Sequence, residues 1–195
     1  MPSTGPEVVV IRHGETEWSA ARKHTGSTDV PLTDAGRRQA QDVRAEVAGR
    51  EFVRVLTSPS SRAVETCRIA GLGDRAEIRD DLHEWDYGKY EGVTTAQIRS
   101  QRPDWSLWRD GCPGGESPAE VGARADRVVA ALRQLDGDVA VFGHGHFLRV
   151  LTARWLELPP ARGASFGLDT AAVGALGWER ENAAIWLWNR TPKGG

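Results

Sequence analysis

At 195 residues, 39% of them hydrophobic, the chain is long enough for one well-filled core, and a single domain spanning 1–195 is expected. Its formal net charge of -2 and pI near 6.2 provide no overall positive field, which excludes nucleic acid or a membrane surface as a partner held by bulk charge and makes any anion recognition local. No apolar run approaches a membrane span, nothing before Glu7 resembles a signal peptide, and Cys67 and Cys112 have neither metal nor disulfide spacing, so a cytoplasmic protein is expected.

EVVVIR (7–12) is an unbroken β-branched run that predicts a buried strand, and the chain then turns abruptly polar at Arg12-His13-Gly14. From Thr33, TDAGRRQAQDVRAEVAG opens on a capping residue, places Ala40, Val43 and Val47 on one face and stops at Gly49, which predicts a helix. FVRVLTS (52–58) reads as a second strand, SPSSRAVETCRIAG as a second helix with Pro59 near its first turn, and AEIRDDL (76–82) as a short third strand. Regularity then weakens. Residues 83–116 are rich in glycine, proline and tryptophan, with only a brief helix around 94–101, and are read as an insertion or lid over the sheet edge.

SPAE (117–120) is a capping box with Pro118 at the first helical position, and Val121, Ala125, Val128, Leu132 and Leu135 form the apolar stripe of a long helix. DVAVFG (138–143) is another core strand, GHFLRVLTARWLEL a helix, and AAVGALGWE with AAIWLWN an antiparallel hairpin. This alternation implies an α/β fold: a three-layer αβα sandwich with a mostly parallel sheet and an antiparallel edge. The Trp-bearing hairpin also suggests a homodimer surface.

In such sheets ligands bind beyond the carboxyl ends of the strands, and three of these ends are chemically loaded. VVVI runs into Arg12 and His13, RVLTS into a segment ending in Arg62, and VAVF into Gly143-His144-Gly145-His146. If they share one edge, two arginines and two histidines converge, and Leu82 to Gly88 can bring the Glu84 carboxylate to them. Two guanidinium forks and a histidine can bind the nonbridging oxygens of a phosphoryl group. His13 can then attack phosphorus if its other ring nitrogen is held as a donor, with Glu84 protonating the leaving group and afterwards deprotonating water.

At RHGETEW (12–18), HTGSTDVPLTDAGRRQA (24–40), SPSSRAVET (58–66), HEWDYGKYEG (83–92) and GHGHFLR (143–149) the sequence resembles the histidine phosphatase superfamily, also called the phosphoglycerate mutase-like family. The resemblance follows the chain in order from about Val8 to Leu156. It implies that His13 is the phosphorylated nucleophile, that Arg12, Arg62 and His144 bind phosphate, and that Glu84 is the proton donor. Thr25, Gly26 and the Gly145 backbone would line the pocket, and neither metal nor cofactor is implied. Ser19 stands at a substrate-binding position where the family often has asparagine.

Mutases of the family typically follow the acid with Arg and His, have a lysine soon afterwards, and carry a longer insertion with paired arginines. Here Trp85 and Asp86 follow Glu84, Thr95 stands near the lysine position, and 83–116 has no Arg-Arg pair. The EWDYG and WRDGCPGGES stretches resemble the acid phosphatase and sugar-phosphatase branch. The expected activity is hydrolysis of a small phosphorylated metabolite, such as a sugar phosphate, with an acidic to near-neutral optimum. A phosphoglycerate-type mutase and a non-catalytic phosphate-binding regulatory module are the alternatives. His144 and His146 have a metal-like spacing but few acidic companions, so His146 is expected to be structural, and His24 and His83 to make local hydrogen bonds. Trp85, Trp105 and Trp108 fit either a substrate wall or the packing of a lid.

Overall fold

The computed structural model describes residues 5–191. In chain order the regular elements are β1 (Val8–Arg12), α1 (Glu17–Ala20), α2 (Asp34–Val47), β2 (Arg54–Thr57), α3 (Ser61–Ile69) and β3 (Ala76–Ile78). They continue with α4 (Thr95–Gln101), α5 (Leu107–Asp110), α6 (Pro118–Leu132), β4 (Val139–Gly143), α7 (Gly145–Trp155), β5 (Val173–Glu179) and β6 (Asn182–Arg190). The strands form one sheet in the order β3-β2-β4-β1-β5-β6. The pairs from β3 to β1 are parallel, while β5 runs antiparallel to β1 and to β6.

The unbroken apolar run of β1 follows from this central position, because both faces of the strand are covered. Val9 and Ile11 pack with Val43 and Val47 of α2 and Cys67 of α3, whereas Val8 and Val10 face Val128 of α6 and Leu151 of α7. The sheet is therefore the middle layer of a three-layer αβα fold, as the sequence pattern implies. Among the described residues no helix is long and apolar enough to cross a membrane.

The differences from the sequence reading lie at the edges. The expected strand over 76–82 stops at Ile78, and Asp80–Leu82 turns into a 3-10 helix. An edge strand has one ladder to hold it, and leaving the sheet lets Leu82 become fully buried while Ile78 stays 62% exposed. Phe52 is buried ahead of β2, α6 ends before Leu135, and α7 ends at Trp155. The segment 83–116 contains the expected brief helix, capped reciprocally by Thr94 and Gln97, and the unexpected α5. Trp85, Tyr87, Trp105 and Leu107 belong to the core beside α6 and α7, which orders a stretch with little periodicity of its own. In the hairpin, the Trp178 ring packs on Trp155 and the Trp188 ring on Phe166.

Parallel pairing of β1, β2 and β4 brings their carboxyl ends to one edge, with Arg12 opposite Gly143 and Thr57 opposite Phe142. Gly14 makes the exit from β1 possible. A Cβ there would stand 2.3 Å from the Gly36 carbonyl oxygen in the first turn of α2, so only glycine lets the two backbones meet.

Candidate active site

His13 is clamped by its backbone: its N–H donates to the Gly143 carbonyl and its own carbonyl accepts from Ala171 N–H, both at 3.0 Å. Its Nδ1 lies 2.7 Å from the Gly14 carbonyl oxygen. A carbonyl only accepts, so this nitrogen carries the proton and Nε2 keeps its lone pair. The His144 ring meets His13 edge-on at 5.2 Å between centroids, and its Nε2 is 2.6 Å from Ser58 Oγ. A Ser58 hydroxyl that donates to Nε2 leaves the His144 proton on Nδ1.

Arg62 sits in the first turn of α3 and is wholly buried. The carbonyls of Thr25, Gly26 and Thr28 accept its Nη hydrogen bonds at 3.0–3.2 Å. Its nearest carboxylate, on the exposed Asp29, is 3.8 Å away. Arg12 donates through Nη1 to the Leu168 carbonyl. Gly145 lets it pass, since a Cβ there would be 3.2 Å from the guanidinium carbon. Arg12 Nε, Arg62 Nε and His144 Nδ1 are buried and meet no acceptor among the described residues. An unmatched buried donor costs about 1–3 kcal/mol, so three of them in one cluster make a site for an oxyanion with several acceptor oxygens.

Glu84 is held by α7. The helix has no side-chain cap of its own at His144. Instead Glu84 Oε1 accepts from the N–H groups of Phe147 and Trp85, both at 2.8 Å, and Oε2 accepts from His146 N–H at 3.1 Å. A remote carboxylate thus satisfies orphan donors of the first turn. Behind it, buried Arg124 on α6 donates to the carbonyls of His83 and Glu84 and pairs with Glu116 at 2.7 Å. Arg124 therefore positions the Glu84 loop. Its only signal in the sequence is an arginine among the apolar positions of α6.

Burial pushes the His13 imidazole well below its ordinary pKa of 6.5, and the Arg12 and Arg62 charges push the same way. His144 is lowered by burial, Arg62 and His13, and His146 by burial and Arg149. Below about pH 6.5 the unfolded chain binds protons at these three positions that the folded chain refuses, so stability falls as the pH falls toward the folded-state values. Each histidine contributes a slope of about 1.4 kcal/mol per pH unit once the unfolded imidazole is charged, or about 4 kcal/mol per unit for three. Urea unfolding at pH 7.5 and 5.5 measures this. Equal midpoints at the two pH values would contradict the three depressed imidazoles.

A cavity of about 340 Å³ opens over this cluster. Of the expected residues, Arg12, His13, Ser19, Thr25, Glu84 and Gly145 line it. Arg62 and His144 lie fully buried beside His13. Gly26 is not part of the wall: it supports Arg62 through its carbonyl, and its N–H donates to the Glu91 carboxylate. Ser19 spends its hydroxyl on Thr16, accepting from the N–H and donating to the carbonyl, both at 2.9 Å, to close the capping box of α1. His24 and His83 make the expected local bonds, to the Val93 and Glu84 carbonyls. His146, expected to be structural, bonds Tyr87 Oη at 2.6 Å and also faces the cavity. Trp105 and Trp108 line the cavity and pack on Tyr90 and Trp85. Arg22, Lys23, Arg99 and Arg149 complete the wall. Arg22, Lys23 and Arg99 stand outside the quoted motifs and Arg149 closes GHGHFLR, and the sequence reading gave none of the four a role. Among the described residues no group of three or more His, Cys, Asp or Glu side chains is placed to hold a metal ion.

A family model described as the histidine phosphatase superfamily (branch 1) matches residues 8–191. An acid phosphatase of Mycobacterium tuberculosis is 46% identical over 88% of this chain and 86% of its own length. The sedoheptulose 1,7-bisphosphatase of Saccharomyces cerevisiae is 38% identical over 81% of this chain and 70% of its own. The solved structure of an open reading frame product of Mycobacterium tuberculosis superposes with a TM-score of 0.92 at 41% identity, covering 96% of this chain and 99% of that one. The family match runs through the strand ends that carry Arg12, His13, Arg62 and His144 and through the loop that carries Glu84, and the chain belongs to branch 1 of the histidine phosphatase superfamily as a phosphoric monoester hydrolase.

Proposed function

We propose that the enzyme hydrolyses a small sugar phosphate through a phosphohistidine on His13, with Glu84 as general acid and then general base. The observation that carries this is the Nδ1 contact of His13 with the Gly14 carbonyl, which leaves Nε2 as the free nucleophile. Arg12, Arg62 and His144 supply the phosphate donors. In the first step Nε2 attacks phosphorus, the ester P–O bond breaks, and a protonated Glu84 gives its proton to the leaving oxygen. In the second, Glu84 takes a proton from water, which attacks the phosphohistidine and releases phosphate. Oε2 is the oxygen suited to this work, because it carries one backbone bond where Oε1 carries two. The sugar-phosphate part of the proposal draws on the sugar bisphosphatase among the relatives.

The depressed imidazole extends the nucleophilic range of His13 into mild acid. His13 stays unprotonated in mild acid, so the acidic limb of kcat/KM lies below pH 6.5. Quenching turnover of a labelled sugar phosphate in alkali, with a chelator present, should capture an acid-labile phosphoprotein and free phosphate equal to the alcohol formed. An isomerised ester in place of phosphate would make the enzyme a mutase, and tight binding with no labelled protein and no phosphate would make it a binding module.

A further inference from the structure

We infer that the cavity holds a second anion site, formed by Arg22, Lys23, Arg99 and Arg149, and that the substrate is a bisphosphate whose non-reacting phosphate lies there. The inference rests on the phosphatase reading of His13, which assigns the scissile phosphate to Arg12, Arg62 and His144. The four further cations face the same cavity, and the one carboxylate on its wall, Glu84, is committed to backbone N–H groups. Elsewhere several surface arginines are neutralised, Arg37 by Asp34 and Glu65, Arg54 by Glu77 and Arg154 by Asp126, while others such as Arg38, Arg68 and Arg127 stand singly outside the cavity with no ion pair among the described residues. None of the four makes an ion pair among the described residues. A chain with net charge -2 that leaves four cations unpaired in one cavity has concentrated a local field for a multiply charged anion.

The four side chains are also placed, not merely present. Lys23 forms a β-bridge with Thr94, which fixes the Arg22-Lys23 turn against the start of α4. Thr95 and Arg99, one helical turn apart on α4, both line the cavity. Arg99 donates through Nε to the Trp105 carbonyl at 2.9 Å, leaving both Nη groups without an acceptor among the described residues. Arg149 is held by the Gly163 and Ala164 carbonyls, with its guanidinium 4.5 Å from the Trp108 ring. The Lys23 ammonium lies 5.6 Å from the Trp18 ring. Arg22 has φ of 56°, a conformation in which glycine or asparagine is relaxed and arginine is strained. The strain is retained where the side chain faces the cavity. A carboxylate would balance one of these charges; a phosphate carries nearly two and offers three acceptor oxygens to the convergent forks.

The test measures binding and turnover separately. In His13→Ala, calorimetry should show fructose 1,6-bisphosphate binding at least about tenfold tighter than fructose 6-phosphate, with 3-phosphoglycerate between them, and Arg22→Asn with Arg99→Gln should bring the ratio to about one. In the otherwise unaltered enzyme the same two substitutions should lower the bisphosphate-to-monophosphate ratio of kcat/KM at least about tenfold. Arg22→Asn relaxes its backbone, so a melting temperature at or above that of the parent protein accompanies the lost preference and separates it from damage to the fold. Absence of preference, preference that survives both substitutions, or tightest binding of 3-phosphoglycerate each overturns the second phosphate site. Phosphate release without preference would leave the phosphatase reading standing alone. Bisphosphate-selective binding without release would keep the second site and remove the phosphohistidine.

Discussion

His13→Ala should lower kcat on any phosphomonoester by about 10⁴-fold or more and abolish the acid-labile phosphoprotein. The size of the effect follows from how the imidazole is prepared. The Gly14 carbonyl fixes its tautomer, two strand hydrogen bonds fix its backbone, and burial beside Arg12 and Arg62 keeps it neutral in mild acid. His24 and His146 also lie on the cavity wall, but neither ring stands beside both Arg12 and Arg62: the charges acting on His24 are those of Glu84 and Glu91, and those on His146 are Arg149, His24 and Arg12. Phosphate should still bind, because Arg12, Arg62 and His144 remain, so the loss falls on kcat more than on KM. The fold should lose about 1 kcal/mol at neutral pH with the Gly14 bond and regain part of it in acid, where one fewer depressed imidazole resists protonation. Rapid-quench assays on labelled substrate check this, and a variant retaining a tenth of the activity would require a different nucleophile.

The strand ends that build the candidate site were legible in the sequence because tertiary burial and chemistry act there on contiguous residues. β1 and β4 read as unbroken apolar runs since both of their faces are covered, and the polar residues that end them face one edge through parallel pairing alone. What escaped depends on contacts that local pattern does not encode. β3 is cut short because an edge strand competes poorly with burial of Leu82. α1 and α5, at four residues each, are too short to show a period. Arg124 and Arg149 look like ordinary helix arginines until the folded chain sets backbone carbonyls against them. Gly26 could be matched to a motif, yet its task is to present a carbonyl to Arg62, which only the packed loop reveals.

Glu84→Gln should separate two kinds of substrate. A sugar alkoxide leaves only with a proton, whereas p-nitrophenolate leaves readily without one. Loss of the general acid should therefore lower kcat/KM by about 10²–10⁴-fold for a sugar phosphate and by about tenfold or less for p-nitrophenyl phosphate. With the general base also gone, hydrolysis of the phosphohistidine slows, so p-nitrophenol should appear in a burst equal to the enzyme and the labelled protein should accumulate. The same substitution disturbs the fold in a defined way. Oε1 accepts two N–H bonds and Oε2 one, so either orientation of the amide sets its NH₂ against a backbone donor of α7 or Trp85. That mismatch costs about 1–3 kcal/mol, and withdrawing the negative charge from the start of α7 adds about 0.3–1 kcal/mol. A lowered melting temperature with the burst intact is the expected pair of results. Equal losses on both substrates, with no burst, would make Glu84 a cap of α7 and nothing more.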